Sequence, residues 1–250
     1  MKAHSRLVAE CRDGRTVLRE IHSVSPLTLV PRRDRLGSAA GADRGYTVHL
    51  VNSASAPLGG DELRLSVRIG EGARLRLSGV AATLALPGPH AGASVSTVDI
   101  EIESGGTLEY LPEPTVITAR ARHTAELTAS LGPGARLRTR EVLVLGRTGE
   151  RPGRLRTAQR VVRTGTPLLH QTLDIGDPAL DSSLAHLADR RVFATELLVW
   201  GDDVTEPVSA DWWSLTPLAA GGSLATALAT DAIAAERALD EARGRHPGWC

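Results

Sequence analysis

Residues 62–77 read ELRLSVRIGEGARLRL, and this stretch decides the fold class. Leu63, Leu65, Val67 and Ile69 alternate with Glu62, Arg64, Ser66 and Arg68; Gly70-Glu71-Gly72-Ala73 then turns the chain, and Leu75 and Leu77 resume the alternation. A period of two with apolar residues on one side is the mark of a half-buried strand. The pattern returns at 98–110 (VDIEIESGGTLEY) around Gly105-Gly106, and at 127–145 (LTASLGPGARLRTREVLVL) around Gly132-Pro133-Gly134-Ala135. The turns recur at roughly 30 residues, a repeat that predicts stacked units. Half-exposed strands joined by glycine turns read as antiparallel hairpins rather than buried parallel strands. The expected fold is therefore all-β dominated: elongated, stacked antiparallel β-hairpins, β-sandwich or β-helix-like.

Outward from this centre the signals continue. Arg6–Cys11 and Thr16–Leu29 flank Asp13-Gly14, a hairpin signature. Arg32–Gly45 is polar, glycine-rich and aperiodic, so it reads as a loop, and Tyr46–Asn52 alternates again. Beyond Gly146, Arg147–Arg154 reads as a loop, while Thr157–Arg163, Pro167–Ile175, Phe193–Trp200 and Leu224–Ala229 read as strands. Asp177–Arg191 has room for a short helix. A clear helix follows Ala229, capped by Thr230 or Asp231 and ended by Gly244 and Pro247. One or two helices near the C-terminus are thus expected. No linker or shift in composition divides residues 1–250, which read as a single domain.

Composition bounds the function. The 250 residues are 42% hydrophobic and 23% charged, ordinary for a globular protein. Lys plus Arg and Asp plus Glu are 29 each, leaving no basic surplus for nucleic acid or an anionic membrane surface. The opening MKAHSRLVAECRDGR is charged throughout and no run of about 18 apolar residues occurs, so neither signal peptide nor membrane span is expected. Two cysteines, Cys11 and Cys250, are too few for a disulfide framework and point to the cytoplasm. Lys2 is the one lysine and aromatics are 3%, so the core must be aliphatic.

Candidate chemistry is sparse. Gly59-Gly60-Asp61-Glu62 places two carboxylates after a flexible turn, where they can bind a cation or cap the turn. Glu109 and Glu113 flank Tyr110-Leu111-Pro112 and raise a two-carboxylate hydrolase reading, which requires carboxyls held about 5 to 9.5 Å apart across a cleft. The eight histidines are dispersed and form no His-x-His or His-x-x-x-His pair, with His90 in a Pro-Gly-Pro-His loop. No nucleophile elbow, Walker A loop, dinucleotide fingerprint or Cys-x-x-Cys occurs, so no enzyme active site is expected.

Six segments together resemble the urease accessory protein UreD family, also called UreH. They are Leu58–Arg64 (LGGDELR), Ile69–Leu77 (IGEGARLRL), Ala81-Ala82-Thr83, Gly105–Pro112 (GGTLEYLP), Glu141–Arg147 (EVLVLGR) and Pro167–Leu173 (PLLHQTL). They fall in the family's order over about residues 5 to 245. The resemblance implies a β-rich, non-enzymatic scaffold for urease maturation. Its partners would be the urease apoprotein, UreF and, through UreF, the nickel-carrying GTPase UreG. No tightly bound cofactor is implied, but Ni²⁺ would pass transiently along an internal tunnel, for which scattered oxygen ligands suit better than a tight His/Cys cage. Carried over by motif, the proposed transient nickel path is Asp61, Glu62, Thr83, Glu109 and Glu141. The chain departs from the family pattern at Val80 and Leu84, where Gln and Lys are usual, at Glu113-Pro114, where Gln-Glu is favoured, and in Ser53–Leu58 before the Gly-Gly-Asp segment. A β-sandwich module for a small ligand or carbohydrate is the alternative.

Overall fold

The computed structural model describes residues 1–32, 45–89 and 92–249. Most of the expected 32–45 loop, His90 and Cys250 lie outside the described residues. In chain order the strands are β1 (Lys2–Arg12), β2 (Arg15–His22), β3 (Leu27–Arg32), β4 (Tyr46–Asn52), β5 (Glu62–Ile69), β6 (Arg74–Gly79), β7 (Thr83–Ala85), β8 (Ser94–Ile102) and β9 (Thr107–Leu111). They continue with β10 (Thr115–Ile117), β11 (Arg122–Leu131), β12 (Arg136–Leu145), β13 (Arg154–Arg163), β14 (Thr166–Ile175), β15 (Val192–Val199), β16 (Val208–Ala210), β17 (Trp213–Pro217) and β18 (Ser223–Ala229). Helix α1 (Pro178–Asp181) precedes β15, and α2 (Ala232–Arg243) follows β18. None of the described helices is long and apolar enough to cross a membrane. The all-β, stacked, β-helix-like class with a helix near the C-terminus is what the chain adopts.

The direction of strand pairing in the repeat differs from the expected hairpins. Each glycine turn is an arch that carries the chain from one sheet to the other: β5 to β6, β8 to β9, β11 to β12. The first sheet runs β14-β13-β11-β8-β5-β1-β2 and the second β16-β17-β18-β15-β12-β9-β6-β4-β3. Strands from successive repeats therefore lie beside one another in parallel, β5 on β8 on β11 in one sheet and β6 on β9 on β12 in the other. The reason is local. Gly72, Gly105 and Gly134 hold the same left-handed φ of +65° at the same place in each arch, a conformation that glycine adopts without a Cβ clash. Arches stack through backbone hydrogen bonds, Gly72 N to Ser104 O at 3.1 Å and Gly105 N to Pro133 O at 3.0 Å. Alternation remains because strands such as β5, β6 and β11 keep one exposed polar side, whereas α2 covers the outer side of β12, β15 and β18.

Antiparallel pairs close the stack at its ends. In the first sheet these are β1–β2, turned at Asp13-Gly14 with both residues at positive φ, and β13–β14. In the second they are β3–β4 and the β15–β18–β17–β16 meander. Leu7, Leu65, Ile69, Leu77, Ile102, Leu108 and Leu137 fill the space between the sheets and are almost wholly buried, each contributing about 1.5–3 kcal/mol of burial free energy. On the outer side of the second sheet, Ala235, Leu239 and Ala242 of α2 pack on Val142, Ala194 and Ala227. Asp231 caps α2 by accepting from Ala234 N at 2.8 Å.

Candidate functional site

Sheet two is broken at one place, and the break makes a cavity. Strand β12 pairs with β9 through Thr139↔Tyr110 and resumes with β10 at Leu143↔Thr115. Between these, Pro112 and Pro114 lack the N–H that would continue the ladder. Arg140, Glu141 and Val142 are thus left with no parallel neighbour, although β15 still pairs with them on the other side, Glu141 opposite Thr195. A cavity of about 150 Å³ opens between the sheets at this gap. Its lining includes Thr83, Tyr110, Glu113, His123, Glu141 and Thr157.

Glu141 stands at the inner side of the gap. Odd-numbered positions of β12 face the opposite sheet, as buried Leu137, Thr139 and Leu143 show, while Arg138 and Val142 turn outward. The Glu141 carboxylate accepts from Thr157 Oγ1 at 2.8 and 3.1 Å and from Gln159 Nε2 at 3.2 Å, both on β13 of the facing sheet. It lies deep in the protein yet keeps some accessible surface, because it faces the cavity rather than packed side chains. No Lys, Arg or His among the described residues pairs with it. Burial pushes its pKa up, against the opposing hydrogen bonds from Thr157 and Gln159. Burial likewise raises the Tyr110 phenol, with the Glu141 charge adding to the effect.

His123, at the start of β11, lines the same cavity and is 5% exposed. Its Nδ1 lies 2.9 Å from Ser94 Oγ. Desolvation lowers its pKa to about 4, with a hydrogen bond to the Ser94 backbone working in the other direction, so the ring is neutral at pH 7. At the outer end, Asn52 Nδ2 donates to Thr83 Oγ1 at 2.9 Å, beside Glu113 and Thr115.

The five residues of the expected nickel path separate. Thr83 and Glu141 line the cavity, one near its outer end and one deep within. Asp61 is buried elsewhere: its Oδ2 accepts from Leu58 N at 2.8 Å and its Oδ1 from the Met1 amine at 2.6 Å. Burial would raise the Asp61 pKa, but the amine and the Leu58 N–H together bring it below the usual carboxylate value. Glu62 is exposed and pairs with Lys2 at 2.9 Å. Glu109 points to the outer face of sheet two, where it accepts from Arg138 Nη1 at 2.9 Å. Glu109 and Glu113 therefore do not share a cleft, which removes the geometry of a two-carboxylate hydrolase. Glu113, His123, Thr157 and Gln159 were not part of the expected path. For Glu113 a signal was present in Pro112-Glu113-Pro114, since two prolines at alternate positions cannot continue a central strand.

Arg138 belongs to a second polar cluster, beneath α2. It donates to both oxygens of fully buried Glu196, each at 3.1 Å, and Arg243 of α2 donates to the same carboxylate at 3.1 and 3.3 Å. The Arg138 and Arg243 guanidinium carbons lie 4.8 and 5.3 Å from the Trp249 ring centre. This cluster ties the C-terminal segment to sheet two.

A family model described as UreD urease accessory protein matches residues 1–246. The chain belongs to the UreD family. A Saccharopolyspora erythraea protein named urease accessory protein UreD 1 is 54% identical over 248 residues, covering 99% of this chain and 96% of its own. UreD proteins of a Parafrankia species and of Streptomyces avermitilis are each 37% identical, over 270 and 238 residues, covering 98% and 92% of this chain and 88% and 92% of their own. The resemblance carried by six short segments thus extends along nearly the whole chain. These relatives are named as accessory proteins of urease rather than as enzymes.

Proposed function

We propose that this chain is a non-enzymatic cytoplasmic scaffold for urease maturation, joining the urease apoprotein to UreF and, through UreF, to UreG, and that Ni²⁺ crosses its inter-sheet cavity as cargo. The observation that carries the reading is Glu141: a deep carboxylate held by two neutral donors, with no cation paired to it among the described residues, at a break in the sheet that opens on the inter-sheet cavity. Such a charge is costly without a partner, and a transient divalent cation supplies one. Among the described residues no three His, Cys, Asp or Glu side chains are grouped closely enough to hold a metal ion. Oxygen ligands met one after another favour movement over retention. The path proposed on this geometry keeps Thr83 and Glu141, adds Glu113, and leaves out Asp61, Glu62 and Glu109, which face other partners.

The cavity at Glu141 encloses about 150 Å³, too little for a small-ligand or carbohydrate site of about 300–1,000 Å³, so that reading does not belong to this cavity. The test is co-expression of Glu141→Gln with the urease operon under limiting nickel. The variant should still co-purify with UreF and apo-urease, while the nickel content of the urease falls severalfold. Full nickel loading with normal assembly would remove Glu141 from the path.

A further inference from the structure

His123 differs from the rest of the cavity lining in the lone pair it brings. Ser94 Oγ can donate to the Arg122 carbonyl at 3.4 Å, which leaves it to accept from His123 Nδ1–H at 2.9 Å. In that tautomer Nε2 carries the lone pair. It makes no hydrogen bond among the described residues, yet it is not sealed in the way both ring nitrogens of His246 are, because His123 borders the cavity. The other side-chain nitrogens of the lining, on Asn52, Arg140 and Gln159, carry protons and no available lone pair.

We propose that His123 Nε2 is the nitrogen donor of the cavity and sets its cation preference, holding a borderline divalent transition cation such as Ni²⁺ in preference to Mg²⁺. The inference rests on the reading of the cavity as a cation path. An all-oxygen path offers a hard ion such as Mg²⁺ the ligands it prefers, whereas imidazole favours Ni²⁺. Ser94 completes the arrangement: a hydrogen bond to the far ring nitrogen fixes the tautomer and orientation of a metal-binding histidine. A single imidazole among scattered carboxylates selects without trapping.

The experiment uses the full chain uniformly labelled with ¹⁵N, titrated with Ni²⁺ in excess Mg²⁺, beside the variants His123→Asn and Glu141→Gln. Asparagine keeps a polar atom near the Nδ1 position for Ser94 and removes Nε2. Ni²⁺ should broaden the His123 ring resonance where Mg²⁺ does not, and His123→Asn should weaken Ni²⁺ binding about tenfold with Mg²⁺ binding unchanged. If Ni²⁺ perturbs Tyr110 and Thr157 in a manner lost in Glu141→Gln, while the His123 ring is untouched, this inference falls and the cation path stands. If no cavity resonance responds to Ni²⁺, both fall. Should His123→Asn fail to fold, the ring resonance of the wild-type chain decides the matter.

Discussion

Glu141 and His123 share a cavity, and burial moves their protonation equilibria in opposite directions, so they leave opposite marks on stability. For Glu141 the folded-state pKa lies above the unfolded value of 4.5. Its contribution is therefore best below about pH 4.5 and is lost as pH rises through the folded value. Glu141→Gln should melt higher than wild type at pH 8, at about 2–4 °C per kcal/mol for a chain of this length, and the gap should close toward pH 4. For His123 the folded value is about 4 against 6.5 unfolded. Its contribution is full above about pH 6.5 and declines between there and pH 4, by up to about 3 kcal/mol. Denaturant titrations at pH 7 and pH 4.5 should show wild type losing more stability on acidification than His123→Asn. Much of this site was hidden in the sequence. Thr83 and Glu141 were reachable through motifs, but which face Glu109 and Glu141 occupy depends on strand register. Burial of His123 depends on a neighbouring strand nearly thirty residues away.

At the level of elements, α2 is held to sheet two by apolar packing and by the Arg138–Glu196–Arg243 cluster. Removing the shared carboxylate leaves Arg138 with Glu109 alone and Arg243 with the exposed Asp240 alone in a largely buried setting. Glu196→Ala should cost about 3–5 kcal/mol in urea denaturation, far more than loss of the exposed Lys2–Glu62 pair, worth about 0–1 kcal/mol. A cost near that of a surface pair would mean that packing of Ala235, Leu239 and Ala242 alone docks the helix. Most strand positions, the Asp13-Gly14 turn and the α2 cap were legible from alternation, turn residues and capping, but the run Thr16–Leu29 divides into β2 of the first sheet and β3 of the second. Strand direction in the repeat was not, because a sheet with one solvated face alternates in the same way whether its neighbour runs parallel or antiparallel. Gly-Glu-Gly-Ala can turn a chain back within a sheet or across to the facing one. The short strands β7, β10 and β16, of three residues each, offer too little sequence to carry a period.

Across the whole molecule, parallel stacking joins residues about thirty positions apart, and β1 reaches across 60 residues to pair with β5 from Lys2↔Glu62 onward. Contacts of that span close late, so folding should be slower than in a helical chain of equal size. The antiparallel pairs at both ends of the stack have a consequence of a different kind. A parallel coil presents at each end the same unsatisfied ladder that it uses internally, and a second molecule could add there as another turn, then a third, without limit. The β1–β2 and β13–β14 hairpins reverse the last strand of the first sheet, so its outer edges do not repeat the parallel ladder used inside. The five parallel strands of the first sheet, β1, β5, β8, β11 and β13, lie between the two reversals, so a second molecule meets a reversed strand at either end rather than a continuation of the coil.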